Sequence, residues 1–172
     1  PIVVIELDPE NKLIPAAREI GVYVFVGDAL ARDLYSRINL KDAKHLITLT
    51  GNNGLNVDLG IKARNHMREH GRQQLRIHLH LDDSRVAQSL ASYPKFFSDH
   101  RDAQIDFFSV YDLTARILFT KYNPDRFASV FNQSQVHIVL YQFGNLAQHI
   151  LTEALRTGHY ANQQQLRFTI ID

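Results

Sequence analysis

A short strand that ends on a carboxylate carries the most chemical content in this chain. Ile2-Val3-Val4-Ile5-Glu6 is an apolar run closing on an acid, followed by Leu7-Asp8-Pro9-Glu10. A strand of this kind, turning into a helix, is how a dinucleotide-binding α/β unit holds a ribose. The carboxylate accepts hydrogen bonds from both sugar hydroxyls. No strand and glycine-rich turn precede Ile2 in the sequence, so the chain reads as a piece cut from a larger protein.

Other groupings offer chemistry of their own. His66-Met67-Arg68-Glu69-His70 matches the H-x-x-E-H pattern of inverted zinc peptidases, which places two imidazoles on one helical face. It sits just before Gly71, where a helix end favours His and Arg through the macrodipole, and no third ligand is evident. His78, His80 and Asp82 share one face of a strand, a spacing that a facial metal site needs but chance also supplies. Asp99, Asp102 and Asp106 read as a solvated acidic stretch rather than an oxygen cage. No nucleophile elbow, P-loop lysine motif or cysteine is present, so hydrolase and phosphotransferase chemistry has no residues to act through. The sequence points to no catalytic residue and no metal.

The elements that must position these groups alternate. Strand-like runs lie at 2–7, 22–26, 45–49, 75–81 and 104–108, and several are apolar at consecutive positions rather than alternating, which suits parallel strands covered on both faces. The fold class is therefore α/β, a doubly wound, Rossmann-like parallel sheet with helices on both faces. Asp8 is a candidate cap for a helix ending at Gly21, with Leu13, Ala17 and Ile20 on its buried side, and Pro15 pushes the helix start later. Asp28 can cap residues 29–37. Asn56 can open a helix running to His70, and Asp83 or Ser84 one running to Tyr93. A heavily apolar helix is expected over Tyr111 to Tyr122, and residues 123–135, with Pro124, two Asn and two Ser, read as a linker. After it come a strand (136–141), a helix (146–157) and a strand (166–171) closing on Asp172. This repeats the opening pattern, with Thr169-Ile170-Ile171-Asp172 echoing Val3-Val4-Ile5-Glu6.

Four motifs in order, Ile5-Glu6-Leu7-Asp8-Pro9-Glu10, Val26-Gly27-Asp28-Ala29, Leu49-Thr50-Gly51-Asn52-Asn53 with Asn56 behind it, and Ala63-Arg64, resemble the RCK family. These are regulators of potassium conductance, also called the NAD-binding (TrkA-N) domains of Trk-type potassium-uptake regulators. The resemblance covers most of residues 2–122, and the tail resembles the start of a second such domain. It implies a site in which Glu6 takes the ribose hydroxyls and Asp28 with Ala29 lies beside the adenine. Thr50, Gly51 and Asn52 would line the opposite side, where glycine lets backbone approach the ligand.

The implied cofactor is NAD(H) or another adenine nucleotide, acting as a sensed ligand. The implied function is regulation of a potassium channel or transporter at the cytoplasmic face of a membrane, without enzymatic activity. The implied partners are a membrane pore and further copies of the chain, packed through the Tyr111 to Tyr122 helix. The alternatives are an NAD(P)-dependent oxidoreductase domain and a structural unit that binds nothing.

Two consequences follow from the order of parts. The tail's turn, Gln142-Phe143-Gly144-Asn145-Leu146-Ala147, keeps the second glycine of the dinucleotide fingerprint but has Gln at the first place and Ala at the third. The division expected is 1–122, 123–135 and 136–172. In a sheet of order 3-2-1-4-5-6, a missing first strand leaves two central edges open, and the 136–141 strand is a candidate to fill the slot in the same chain or by exchange between copies.

Bulk properties are those of a globular protein. The chain has 172 residues, 45% of them hydrophobic, and 19 basic against 18 acidic groups. A net charge of +1 supplies no field for binding nucleic acid.

Overall fold

The computed structural model describes residues 1–92, 101–158 and 165–172, which form two compact units, 1–107 and 108–172. The first unit runs β1 (Val3–Glu6), α1 (Leu13–Glu19), β2 (Tyr23–Val26), α2 (Leu34–Arg37), a 3-10 turn (Leu40–Asp42), β3 (His45–Thr48), α3 (Asn53–His70), β4 (Leu75–His80), α4 (Ser84–Ala91) and β5 (Ala103–Phe108). The second holds α5 (Val110–Lys121), α6 (Pro124–Val130), β6 (Gln135–Tyr141), α7 (Asn145–Thr157) and β7 (Gln165–Ile171). The α/β class with parallel strands stands: β1 pairs in parallel with β2, β3 with β4, and β6 with β7.

Among the described residues the strands form three separate sheets, of order β1-β2, β3-β4-β5 and β6-β7. In the first unit this is the doubly wound arrangement with its centre open. Among the described residues β1 has β2 as its one strand neighbour and β3 has β4, so each keeps a free edge. Val3, Val4, Ile47 and Leu49 are correspondingly exposed. The other sheet face is well covered. Leu75, Ile77 and Leu79 of β4 are wholly buried and cluster with Leu34, Ala63 and Met67, and Ile5 and Phe25 of the smaller sheet pack against the same core. Gly60 of α3 lets that helix lie close, since a Cβ there would meet Leu79 Cδ2 at 2.7 Å.

Several sequence expectations are corrected. Residues 123–135 are not a plain linker: Asn123 caps α6 by accepting from the Asp125 amide, and Pro124 fills the first helical position, where its missing N–H costs nothing. The division of the chain falls at 107/108 rather than after 122, and α5 packs on α7 within the second unit. The strand at 136–141 pairs along its length with β7 in the second unit. The opening helix buries Ile14, while Leu13 and Ile20 are exposed. Asp8 does not cap that helix but accepts from the Glu10 amide in a local turn. Asn52, and not Asn56, caps α3. The acidic stretch is only partly described, because Asp99 lies outside the described residues.

Tyr35 anchors α2 to α3. Its buried hydroxyl donates to the Leu59 carbonyl at 3.1 Å, and burial pushes its pKa from 10.0 to about 12. A group whose folded pKa is raised contributes stability below its unfolded pKa and loses it as pH rises through the folded one. Native stability should therefore fall by roughly 3 kcal/mol between about pH 10 and 12 from this residue alone. Tyr35→Phe should flatten that alkaline decline in denaturant titrations, while costing about 1 kcal/mol at neutral pH for the lost hydrogen bond.

Candidate functional site

Glu6 terminates β1, and its carbonyl accepts from the Gly27 amide at 2.8 Å, tying the end of β1 to the end of β2. Its carboxylate is held by two local donors, the Asp8 amide to Oε1 and Asn11 Nδ2 to Oε2, both at 2.9 Å. The Asp8 amide first, and then Asn11, hold its pKa below the ordinary carboxylate value. The group is thus an oriented anion at the C-terminal end of a parallel strand. Each oxygen has capacity for a further donor such as a ribose hydroxyl.

Asp28 follows at the end of β2. Its Oδ1 accepts from the Leu30 amide at 2.8 Å, so it shapes a turn rather than capping a long helix, and α2 begins only at Leu34. Ala29 next to it is half-buried against the core.

The end of β3 is built more tightly. Gly51 has φ +73, a conformation that glycine adopts without strain, and nothing lies within 4 Å of where its Cβ would be. The backbone there is open to approach. Asn52 accepts from the Leu55 amide at 2.9 Å and starts α3. Asn56, wholly buried, reaches back one turn: its Oδ1 receives the Thr50 amide at 3.1 Å and the Thr50 hydroxyl at 2.9 Å, and its Nδ2 donates to the His80 carbonyl at 2.9 Å. Asn53 Oδ1 accepts from the Asp82 amide at 3.1 Å. Two side chains of one helix thereby fix the loops after β3 and β4.

The sequence reading missed this clamp. The signal was Asn52-Asn53 followed by Asn56, three amides within five positions, of which one can cap the helix and two must do something else.

His80 Nε2 and Asp82 Oδ1 approach to 2.9 Å at the end of β4, while His78 stacks on His45 with ring centroids 5.4 Å apart. The three do not converge. Among the described residues no group of three or more His, Asp or Glu side chains is placed to hold a metal.

The adenosine half of a dinucleotide fits what is present: an ionised acceptor at β1, a carboxylate at β2 and an open glycine backbone after β3. The TrkA-N domain family model matches residues 1–90. The chain belongs to the TrkA-N family. Domains of this family are NAD(H)-binding regulatory domains of potassium transport and are generally non-enzymatic. No curated protein and no solved structure matches the chain. Among the described residues no helix is long and apolar enough to cross a membrane.

The tail's turn belongs to the second unit and is described by itself. Gln142, at the place of the fingerprint's first glycine, has φ +63 and donates its amide to the Ile171 carbonyl at 2.7 Å. The tight turn has been kept with a side chain on it, at a cost of about 1 kcal/mol. Gly144 has φ −82, and a Cβ there would meet nothing within 4 Å, so the chain's own packing does not require a glycine at that place. Gln142→Gly should stabilise the second unit by about 0.5–1 kcal/mol, read as a raised thermal midpoint.

Proposed function

We propose that the chain is a ligand-sensing, gating domain of a potassium channel or transporter, working at the cytoplasmic face of a membrane. Its ligand is NAD(H) or another adenine nucleotide, bound between the ends of β1 and β2 and the end of β3. The observation that carries this reading is the Glu6 carboxylate, oriented and kept ionised at the end of β1 in a chain of the TrkA-N family.

In this reading Glu6 accepts from the ribose hydroxyls and Asp28 and Ala29 flank the base, with Thr50, Gly51 and Asn52 presenting backbone on the far side. Gly144 would offer a second, separate place for a phosphate. No reaction is needed. A ligand with unequal affinity for two arrangements of an assembly shifts their populations, and a pore coupled to the assembly follows.

Calorimetric titration with NAD, NADH, ATP and AMP tests the assignment. At least one adenine nucleotide should bind the wild-type chain and lose affinity when Asp28 is replaced by Ala. Absence of binding by all four would overturn it.

Assembly through α5 is part of the same proposal. One side of α5 is used within its own unit, where Ala115 is buried and Tyr111 stacks on His149 at 6.0 Å. The other side leaves Leu113 and Ile117 exposed, and Phe127 and Val130 of α6 and Phe131 just after it are exposed as well. Apolar exposure of this extent suits a contact with a second copy. Ile117 is 65% exposed, so Ile117→Asp should leave the fold intact and shift the protein to monomer in size-exclusion and sedimentation measurements.

A further inference from the structure

The H-x-x-E-H segment contributes to a cavity that the nucleotide reading does not use. A pocket of about 300 Å³ is lined by Tyr35 and Ser36 of α2, Asn39 and Lys41 around the 3-10 turn, His66 and His70 of α3, and Arg72 just beyond it. Its place in the fold follows from the chain direction. Lys41 and Arg72 precede β3 and β4 respectively, and the Arg72 amide donates to the Lys41 carbonyl at 3.1 Å. The pocket therefore lies at the N-terminal ends of two parallel strands, separated by their length from the Thr50 to Asn52 loop and from His80 at the end of β4.

Its lining has one dominant sign. Lys41 and Arg72 carry cationic side chains, and the His66 and His70 rings lie tilted to one another with centroids 4.8 Å apart. The acids beside them are Asp42, 3.6 Å from Arg72, and Glu69, 3.8 Å from His70, both on exposed pairs that screening weakens. Asn39 is already directed at Asp42 and the Tyr35 hydroxyl at Leu59, leaving Ser36 and the four basic groups to meet a ligand. Two cationic side chains beside the imidazoles disfavour a metal ion there and favour an oxyanion, which gathers donors of this kind. The volume exceeds that of a bare phosphate group and leaves room for a small body attached to it.

We propose that this pocket is a binding site for a phosphate-bearing small molecule, with Lys41, Arg72, His66 and His70 as its donors and the nucleotide crevice as a separate site. A phosphate bound beside the His66 ring favours its protonated form. Burial and then the neighbouring His70 charge lower the pKa of His66, and Glu69 opposes them only weakly. Binding therefore draws a proton onto His66 and weakens as pH rises through the imidazole range.

The test is a proton NMR titration of the histidine ring signals, assigned with His66→Gln and His70→Gln. Inorganic phosphate and ribose 5-phosphate are the two probes, each compared with chloride at the same ionic strength. The expected result is a saturable shift of the His66 and His70 signals by at least one probe, with affinity falling at least about tenfold from about pH 6 to pH 8. Tighter binding of the sugar phosphate would identify a metabolite as the ligand, and tighter binding of inorganic phosphate the free ion. Lys41→Ala with Arg72→Ala should weaken the response at least about tenfold.

Because Arg72 also pairs with Asp42, Lys41→Ala alone is the second variant and should weaken binding with the fold unchanged. Shifts no larger than those from chloride, or a response that survives loss of both cations, would overturn the proposal. Glu6→Gln should leave this response unaltered, which separates its failure from failure of the nucleotide site.

Discussion

Replacing Asn56 by alanine should destabilise the first unit by about 2–4 kcal/mol and weaken nucleotide binding at the same time. The side chain is wholly buried and satisfies three groups: the Thr50 amide, the Thr50 hydroxyl and the His80 carbonyl. Alanine leaves all three without that partner at the end of a closely packed sheet. Stability is lost first because the buried His80 carbonyl loses its donor and the part-buried Thr50 groups lose their acceptor. Affinity follows because the Thr50 to Asn52 loop must then be ordered by the ligand rather than beforehand, which is worth about tenfold for a short segment. Asn56→Asp separates the two effects, since it keeps the acceptor for Thr50 while replacing the donor to the His80 carbonyl with a buried carboxylate oxygen. It should therefore retain more of the affinity than of the stability. Urea titration gives the first quantity and calorimetry the second.

The Asn56 clamp also shows where the sequence is legible. That α3 begins near the 52–56 segment is readable, because amide side chains ahead of an amphipathic run mark a helix start. Which amide caps is not readable, because Asn52, Asn53 and Asn56 are equivalent by type and are distinguished only by the β4 carbonyl that happens to lie above Asn56. The strands were legible for a related reason: Leu75 to Leu81 is apolar at every second place with Arg76, His78 and His80 between, the period-two pattern of a strand that buries one face. The α6 helix was not. Asn123-Pro124 is a turn signal and a helix-start signal at once, and the burial of Ala128 decides between them. The phase of α1 was lost similarly, because Pro15 within its first turn hides which apolar residue faces inward. The Glu6, Asp28 and Gly51 positions were legible as types at strand ends, whereas the local donors that orient Glu6 required coordinates.

Glu6→Ala should lower nucleotide affinity by at least about tenfold, the scale of a charge-assisted pair of hydrogen bonds, and should do so without unfolding the unit. The carboxylate lies at a strand end, outside the core cluster, and its loss releases only the Asp8 amide and Asn11 to solvent. Glu6→Gln is the more informative variant. It keeps one acceptor but loses the negative charge, so a ligand read through its ribose hydroxyls should bind with an intermediate affinity. A ligand read only through shape or phosphate would be indifferent to both changes.

The pH dependence gives an independent check. Because the Asp8 amide and Asn11 lower the pKa of Glu6, its acceptor role is fully present above the ordinary carboxylate range and is lost only as pH falls through the lowered value. Wild-type affinity should stay level through mild acid and fall in stronger acid, while the affinity of Glu6→Gln should lack that acid limb. An acid limb of equal size in both proteins would move the sensing carboxylate to another residue, with Asp28, at the end of the neighbouring strand, the next to be replaced.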